Sequence, residues 1–219
     1  MQVSIEQRPS NTIARCTFDQ GDSLTAEGGS MVAMSGGLNM ETTTHKRGSG
    51  SVKKALKRIF AGESFFLNHY TAQAPGAQVI LSATLSGDIQ EESLNGRTIM
   101  IQGNSYMAHY GEVDIDASWQ GFKNIFSGES FFWVKASGQG TVIYNAFGVI
   151  YPIDVDGEVI VDTGHVVAFE DQLEYKVTKV GRSWITSFLG GEGMVLKFSG
   201  KGRVWCQSHN PVSFGRALG

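Results

Sequence analysis

Proline and cysteine are both scarce in this 219-residue chain, at four and two residues. So little proline excludes a polyproline linker or a collagen-like segment. Two cysteines, Cys16 and Cys206, sit near opposite ends and exclude the disulfide framework of small secreted domains. They read as reduced, partly buried thiols, with a single bridge tying the termini as the alternative. No apolar run reaches the 18 residues a membrane span needs. Met1 to Pro9 lacks the basic stretch and apolar stretch of a secretory signal and is not an arginine-rich transit peptide, so the expected location is cytoplasmic. Positive charge does not dominate either. Lys and Arg number 18 against 21 Asp and Glu, a net charge of −3. A general nucleic-acid binder usually carries a strongly basic face, so nucleic acid is not an expected partner.

Catalytic and metal-binding patterns are missing as well. The five histidines are His45, His69, His109, His165 and His209, and no two lie within six residues. There is no His-x-His pair, HExxH or Cys-x-x-Cys, so no metal ligand set is expected. There is no Gly-x-Ser-x-Gly elbow and no Gly-x-x-x-x-Gly-Lys phosphate loop. The expectation is a protein that is not an enzyme, with no catalytic residue, cofactor or metal.

Glycine is abundant: 28 residues, close to double the usual share of about 7%. With 41% hydrophobic residues the chain can build a real core. Many glycines and few prolines suggest many tight turns in a folded chain.

The glycines also mark a repeat. Phe60-Ala61-Gly62-Glu63-Ser64-Phe65-Phe66 returns as Phe126-Ser127-Gly128-Glu129-Ser130-Phe131-Phe132, and more weakly as Leu189-Gly190-Gly191-Glu192-Gly193-Met194-Val195. Apolar residues two, three and six positions before each Gly-Glu glycine share a helical face, predicting a short helix that the glycine ends. An apolar strand follows each glycine. Ser137-Gly138-Gln139-Gly140-Thr141-Val142 matches Ser199-Gly200-Lys201-Gly202-Arg203-Val204, and Gly-X-Gly between apolar runs predicts a hairpin turn. In a third block, Leu24-Thr25-Ala26, Ile99-Met100-Ile101 and Val159-Ile160-Val161 each precede a polar, glycine-bearing turn. Met31-Val32-Ala33, Tyr106-Met107-Ala108 and Val166-Val167-Ala168 then follow in the same order.

Val149 to Asp156 alternates with a period near two, as a strand does. The fold class expected is all-β, a sandwich or barrel with helices confined to the segments before each Gly-Glu. Units of about 60–70 residues bury little surface alone, so three copies should pack as one body. The domain expected is 1–219, with pseudo-repeats at about 3–86, 87–146 and 147–208 and a short C-terminal tail. The polar stretch from Thr42 to Ser51 is the expected mobile loop.

Glu63, Glu129 and Glu192 could form a ring of acids that holds a cation. Three equivalent positions fit a structural role better, each carboxylate accepting backbone N–H bonds at its turn with Gly62, Gly128 and Gly191. Lys53, Lys54, Lys57 and Arg58 lie off the apolar face of a predicted helix over 52–60. They are the candidate anionic-surface or phosphate contact, against the plainer reading of a solvated face. Asp162-Thr163-Gly164-His165 reads as a hairpin turn in which Asp162 bonds its own backbone and His165 is structural.

Three of these runs together resemble one known family. They are Gly62-Glu63-Ser64-Phe65-Phe66-Leu67-Asn68, Val161-Asp162-Thr163-Gly164-His165-Val166-Val167-Ala168-Phe169 and Gly191-Glu192-Gly193-Met194-Val195-Leu196-Lys197-Phe198. Each is similar to the AIM24 family, and the likeness runs from about residue 3 to 208. The resemblance implies a β-sandwich, or short double-stranded β-helix, related to the tryptophan RNA-binding attenuator protein, with three units per chain. It further implies a homotrimer closing a nine-unit ring, and it supplies no catalytic residues. Eukaryotic members are mitochondrial and linked to inner-membrane organisation. The function expected is a non-catalytic oligomeric scaffold or assembly protein, its partners itself and an unknown protein. The alternative is a small-ligand or RNA-binding protein like the attenuator. An enzyme built from residues of different repeats would need a deep polar pocket.

Overall fold

The computed structural model describes residues 1–45, 65–116, 132–179 and 194–218. The strands are β1 (Gln2–Glu6), β2 (Ile13–Phe18), β3 (Ser23–Glu27), β4 (Met31–Met34), β5 (Leu38–His45), β6 (Phe65–Ala72) and β7 (Ala77–Ser82). Next come β8 (Ile89–Ser93), β9 (Thr98–Gln102), β10 (Tyr106–Tyr110), β11 (Val113–Asp116), β12 (Trp133–Gly138) and β13 (Thr141–Asn145). The chain ends with β14 (Ile150–Asp162), β15 (Val166–Glu170), β16 (Glu174–Lys179), β17 (Met194–Gln207) and the helix α1 (Pro211–Leu218). Among the described residues the fold is thus all-β apart from α1 and a 3-10 turn at Thr163–His165. No helix there is long and apolar enough to cross a membrane.

Alternation sets the strand faces. In β2, Ala14, Cys16 and Phe18 are buried while Ile13, Arg15 and Thr17 are not; β7 buries Ala77, Val79 and Leu81 in the same way. Such a period of two turns one face of each strand to the core. Three clusters result. One holds Ile99, Ile101, Val134, Tyr144 and Trp205, a second Phe18, Leu24, Tyr70, Leu81 and Ile143. The third packs Trp133 edge-on against Phe169, ring centres 4.8 Å apart, with Phe198 beside them. Each large side chain buried this way contributes about 1.5–3 kcal/mol.

The strands form three antiparallel sheets. Their orders are β1-β2-β7-β4, β5-β6-β3-β10-β13-β8 and β11-β12-β9-β15-β17-β14, with β16 also on β17. Strand β7 lies between β2 and β4, and β13 lies between β8 and β10. The C-terminal half of β17 lies between β14 and β15. Strand β6 joins β5 to β3, β12 joins β11 to β9, and the N-terminal half of β17 joins β16 to the C-terminal half of β14. The ladder slips by one residue between Met31 and Ala33, between Tyr106 and Ala108, and between Val166 and Ala168.

Three expected hairpins are absent among the described residues. Strands β12 and β13, flanking Gly138-Gln139-Gly140, pair with different sheets and not with each other. Residues 199–204 run on inside β17, whose 13 partners on β14 place Gly200 opposite Gly157. These glycines carry φ of 129° at Gly138, 118° at Gly200 and 110° at Gly157, backbone conformations that favour glycine. At Gly138 a Cβ would fall 2.1 Å from the Glu112 carbonyl oxygen. Strands β14 and β15, on either side of Asp162-Thr163-Gly164-His165, likewise both pair with β17 instead of each other. Thr42 to His45 of the expected loop belong to β5, paired with β6; residues 46–51 lie outside the described residues.

Candidate functional site

The predicted site residues fall outside the described part of the chain. This holds for Lys53, Lys54, Lys57 and Arg58, for Gly62 and Glu63, for Gly128 and Glu129, and for Gly191 and Glu192. The helices expected before each Gly-Glu lie there too. Among the described residues no group of three His, Cys, Asp or Glu could hold a metal ion. Cys16 and Cys206 are free and buried, and burial pushes both thiols up to about 12.

The Asp162 turn has the local role expected of it. Asp162 Oδ1 accepts from the Gly164 amide at 2.8 Å and from Asn210 Nδ2 at 3.2 Å. His165 Nδ1 lies 2.8 Å from the Gln207 carbonyl oxygen, and Gln207 Nε2 donates to the Gly164 carbonyl at 2.8 Å. Asn210 Oδ1 accepts from the Val212 and Ser213 amides and so caps α1.

Polar side chains gather where β3 meets β10. Thr25 lies opposite His69 on β6 and opposite His109 on β10. The Thr25 and Thr43 hydroxyls engage the two ring nitrogens of His69 at 2.9 and 2.7 Å. Burial, helped by His69, holds His109 down at about 4, so the imidazole is neutral near pH 7. Burial also raises the Tyr106 phenol, and its hydroxyl lies 2.6 Å from His109 Nδ1, within hydrogen-bond distance. Burial pushes the Glu27 carboxyl up to about 7. The pattern of the sequence could not disclose this group, because its members come from four strands. A cleft of about 270 Å³ lined by Asn11, Thr12, Ser82, Leu85, Ser86 and Gly87 has no titratable side chain in its wall.

Among the described residues strand β4 pairs only with β7, and its residues Met31 to Met34 are all exposed. Among the described residues the C-terminal half of β14 pairs only with β17, and Ile160 is exposed. Edges with apolar side chains and free backbone groups invite another strand. Both were visible in the sequence as Met31-Val32-Ala33 and Val159-Ile160-Val161, but nothing there showed that they lack neighbours.

Comparison with known proteins adds three findings. The family model described as "Mitochondrial biogenesis AIM24" matches residues 3–209. An uncharacterized protein of Streptococcus pyogenes serotype M6 is 27% identical over 224 residues, covering 100% of this chain and 90% of the relative. A crystal structure of a Streptococcus pyogenes protein superposes with a TM-score of 0.79 at 26% identity, covering 99% of this chain and 97% of that one.

Proposed function

The chain belongs to the AIM24 family, and from that premise we propose that it is a non-catalytic scaffold that assembles with copies of itself, three chains to a ring. In this reading each chain is three copies of one sheet-forming unit of the attenuator-protein type, a short double-stranded β-helix. One observation carries it: a single scheme of strand pairing and a single ladder slip recur along the chain at matching blocks. Units joined by strand addition, as β3 joins β10 and β9 joins β15, are built to extend by the same contact.

The polar group around His109 supports a structural role over a catalytic one. Both ring nitrogens of His69 are occupied, and the group is not repeated. At the β9–β15 junction the residues in register with Thr25, His69 and His109 are Met100, Lys135 and Phe169.

Light scattering on freshly purified protein tests the proposal. The expected mass is three times 23.7 kDa. A monomer at micromolar concentration overturns it.

A further inference from the structure

Resting on the self-assembly reading, we infer that β4 of one copy adds to the C-terminal half of β14 of a second copy, head to tail, in a defined antiparallel register. The two junctions inside the chain supply the template. Where β10 meets β3, Ala108 lies opposite Ala26, His109 opposite Thr25 and Tyr110 opposite Leu24. Where β15 meets β9, Ala168 lies opposite Ile101, Phe169 opposite Met100 and Glu170 opposite Ile99. Strand β4 matches β10 and β15 in its sequence block, its inner neighbour and its ladder slip, but among the described residues it has no outer neighbour. The end of β14 matches β3 and β9 and likewise has none among the described residues. Carrying the register over sets Ala33 opposite Val161, Met34 opposite Ile160 and Ser35 opposite Val159.

Burial shows what is missing. The residue at the slip is 1% exposed at Met107 and 0% at Val167, but 61% exposed at Val32. Met107 is covered because its cluster includes Leu24 and Ala26 of the preceding unit; Val167 shares its cluster with Ile99 and Ile101. For Val32 the counterparts are Val159 and Val161 of another molecule. The facing pair behaves alike. Phe169 and Met100 are 1% and 4% exposed, whereas Met34 and Ile160 are 37% and 56% exposed. Apolar side chains left open at both ends of one chain fit each other, and a contact between unlike edges either closes into a ring or runs on as a filament.

Charge and cross-linking test the register. Val32→Lys and Ile160→Lys each place an ammonium where a second strand would bury it, the means by which natural edges block pairing. All the altered side chains are exposed in the single chain, so each variant should fold. The expected result is at least a tenfold weaker self-association, read as a light-scattering mass falling toward 23.7 kDa. In the second arm Met34→Cys protein is mixed with Ile160→Cys protein under mild oxidation. Both native thiols are buried, so a two-chain band from the mixture, and far less from either variant alone, supports the register. If wild type is a multimer, both Lys variants keep its mass and the mixture does not cross-link, the inferred surface is wrong although the scaffold reading stands. If wild type is itself a monomer, both fall.

Discussion

Burial decides how single side chains behave in this protein. The Tyr144 hydroxyl is buried, and among the described residues it has no hydrogen-bond partner. Desolvating a hydroxyl without a bond in return costs about 1–3 kcal/mol, and removing it recovers part of that. Tyr144→Phe should therefore raise stability by about 1 kcal/mol in urea unfolding; a less stable variant would contradict this. The junction group gives a pH signature. His109 is held at about 4 against an ordinary 6.5, so its contribution is present above pH 6.5 and is lost as pH falls toward 4. Glu27 is held at about 7 against 4.5, so its contribution is present below pH 4.5 and is lost as pH rises toward 7. The two slopes oppose each other between pH 4.5 and 6.5. Replacing His109 by Gln leaves the Glu27 slope, so stability should fall as pH rises from 4.5 to 7. Replacing Glu27 by Gln leaves the opposite slope. Each full loss is on the order of 2–3 kcal/mol. Urea midpoints taken at half-unit pH steps check it; two variants sharing one slope would refute the assignment.

At the level of strands, much was legible in the sequence. The alternation near Val149–Asp156 marks part of β14, and the Met31, Tyr106 and Val166 blocks each mark a strand with the same ladder slip. Pairing was less legible. Gly-X-Gly between apolar runs suggests a hairpin because both carry the same local signal, a glycine free of the Cβ restriction. Whether the next strand returns to its neighbour or crosses to another sheet depends on contacts far along the chain. Gly138 shows the difference, since it combines a φ of 129° with a close approach to the Glu112 backbone. Gly157, at φ 110°, meets nothing within 4 Å of an added Cβ. Gly138→Ala should cost roughly 1 kcal/mol more than Gly157→Ala, because a backbone clash adds to a strain of about 1–3 kcal/mol common to both. Equal losses would contradict the crowding at Gly138.

For the whole molecule the missing neighbour is the informative feature. The order of blocks suggests units that pack together, but a sequence does not report which edges stay unpaired. That emerges only from the sheet orders, where β4 and the end of β14 each close a sheet with apolar side chains in the open. The polar group at the first junction was hidden for a related reason: His69 and His109 are far apart in the chain and meet only through Thr25. Hydrogen exchange on the wild-type protein, followed peptide by peptide, tests the account most directly. If copies join edge to edge, amides in Met31–Ser35 and Glu158–Asp162 should be protected about as well as those of β10 and β15, and should lose that protection in Val32→Lys. Rapid exchange at both edges in a sample whose mass shows a multimer would contradict it.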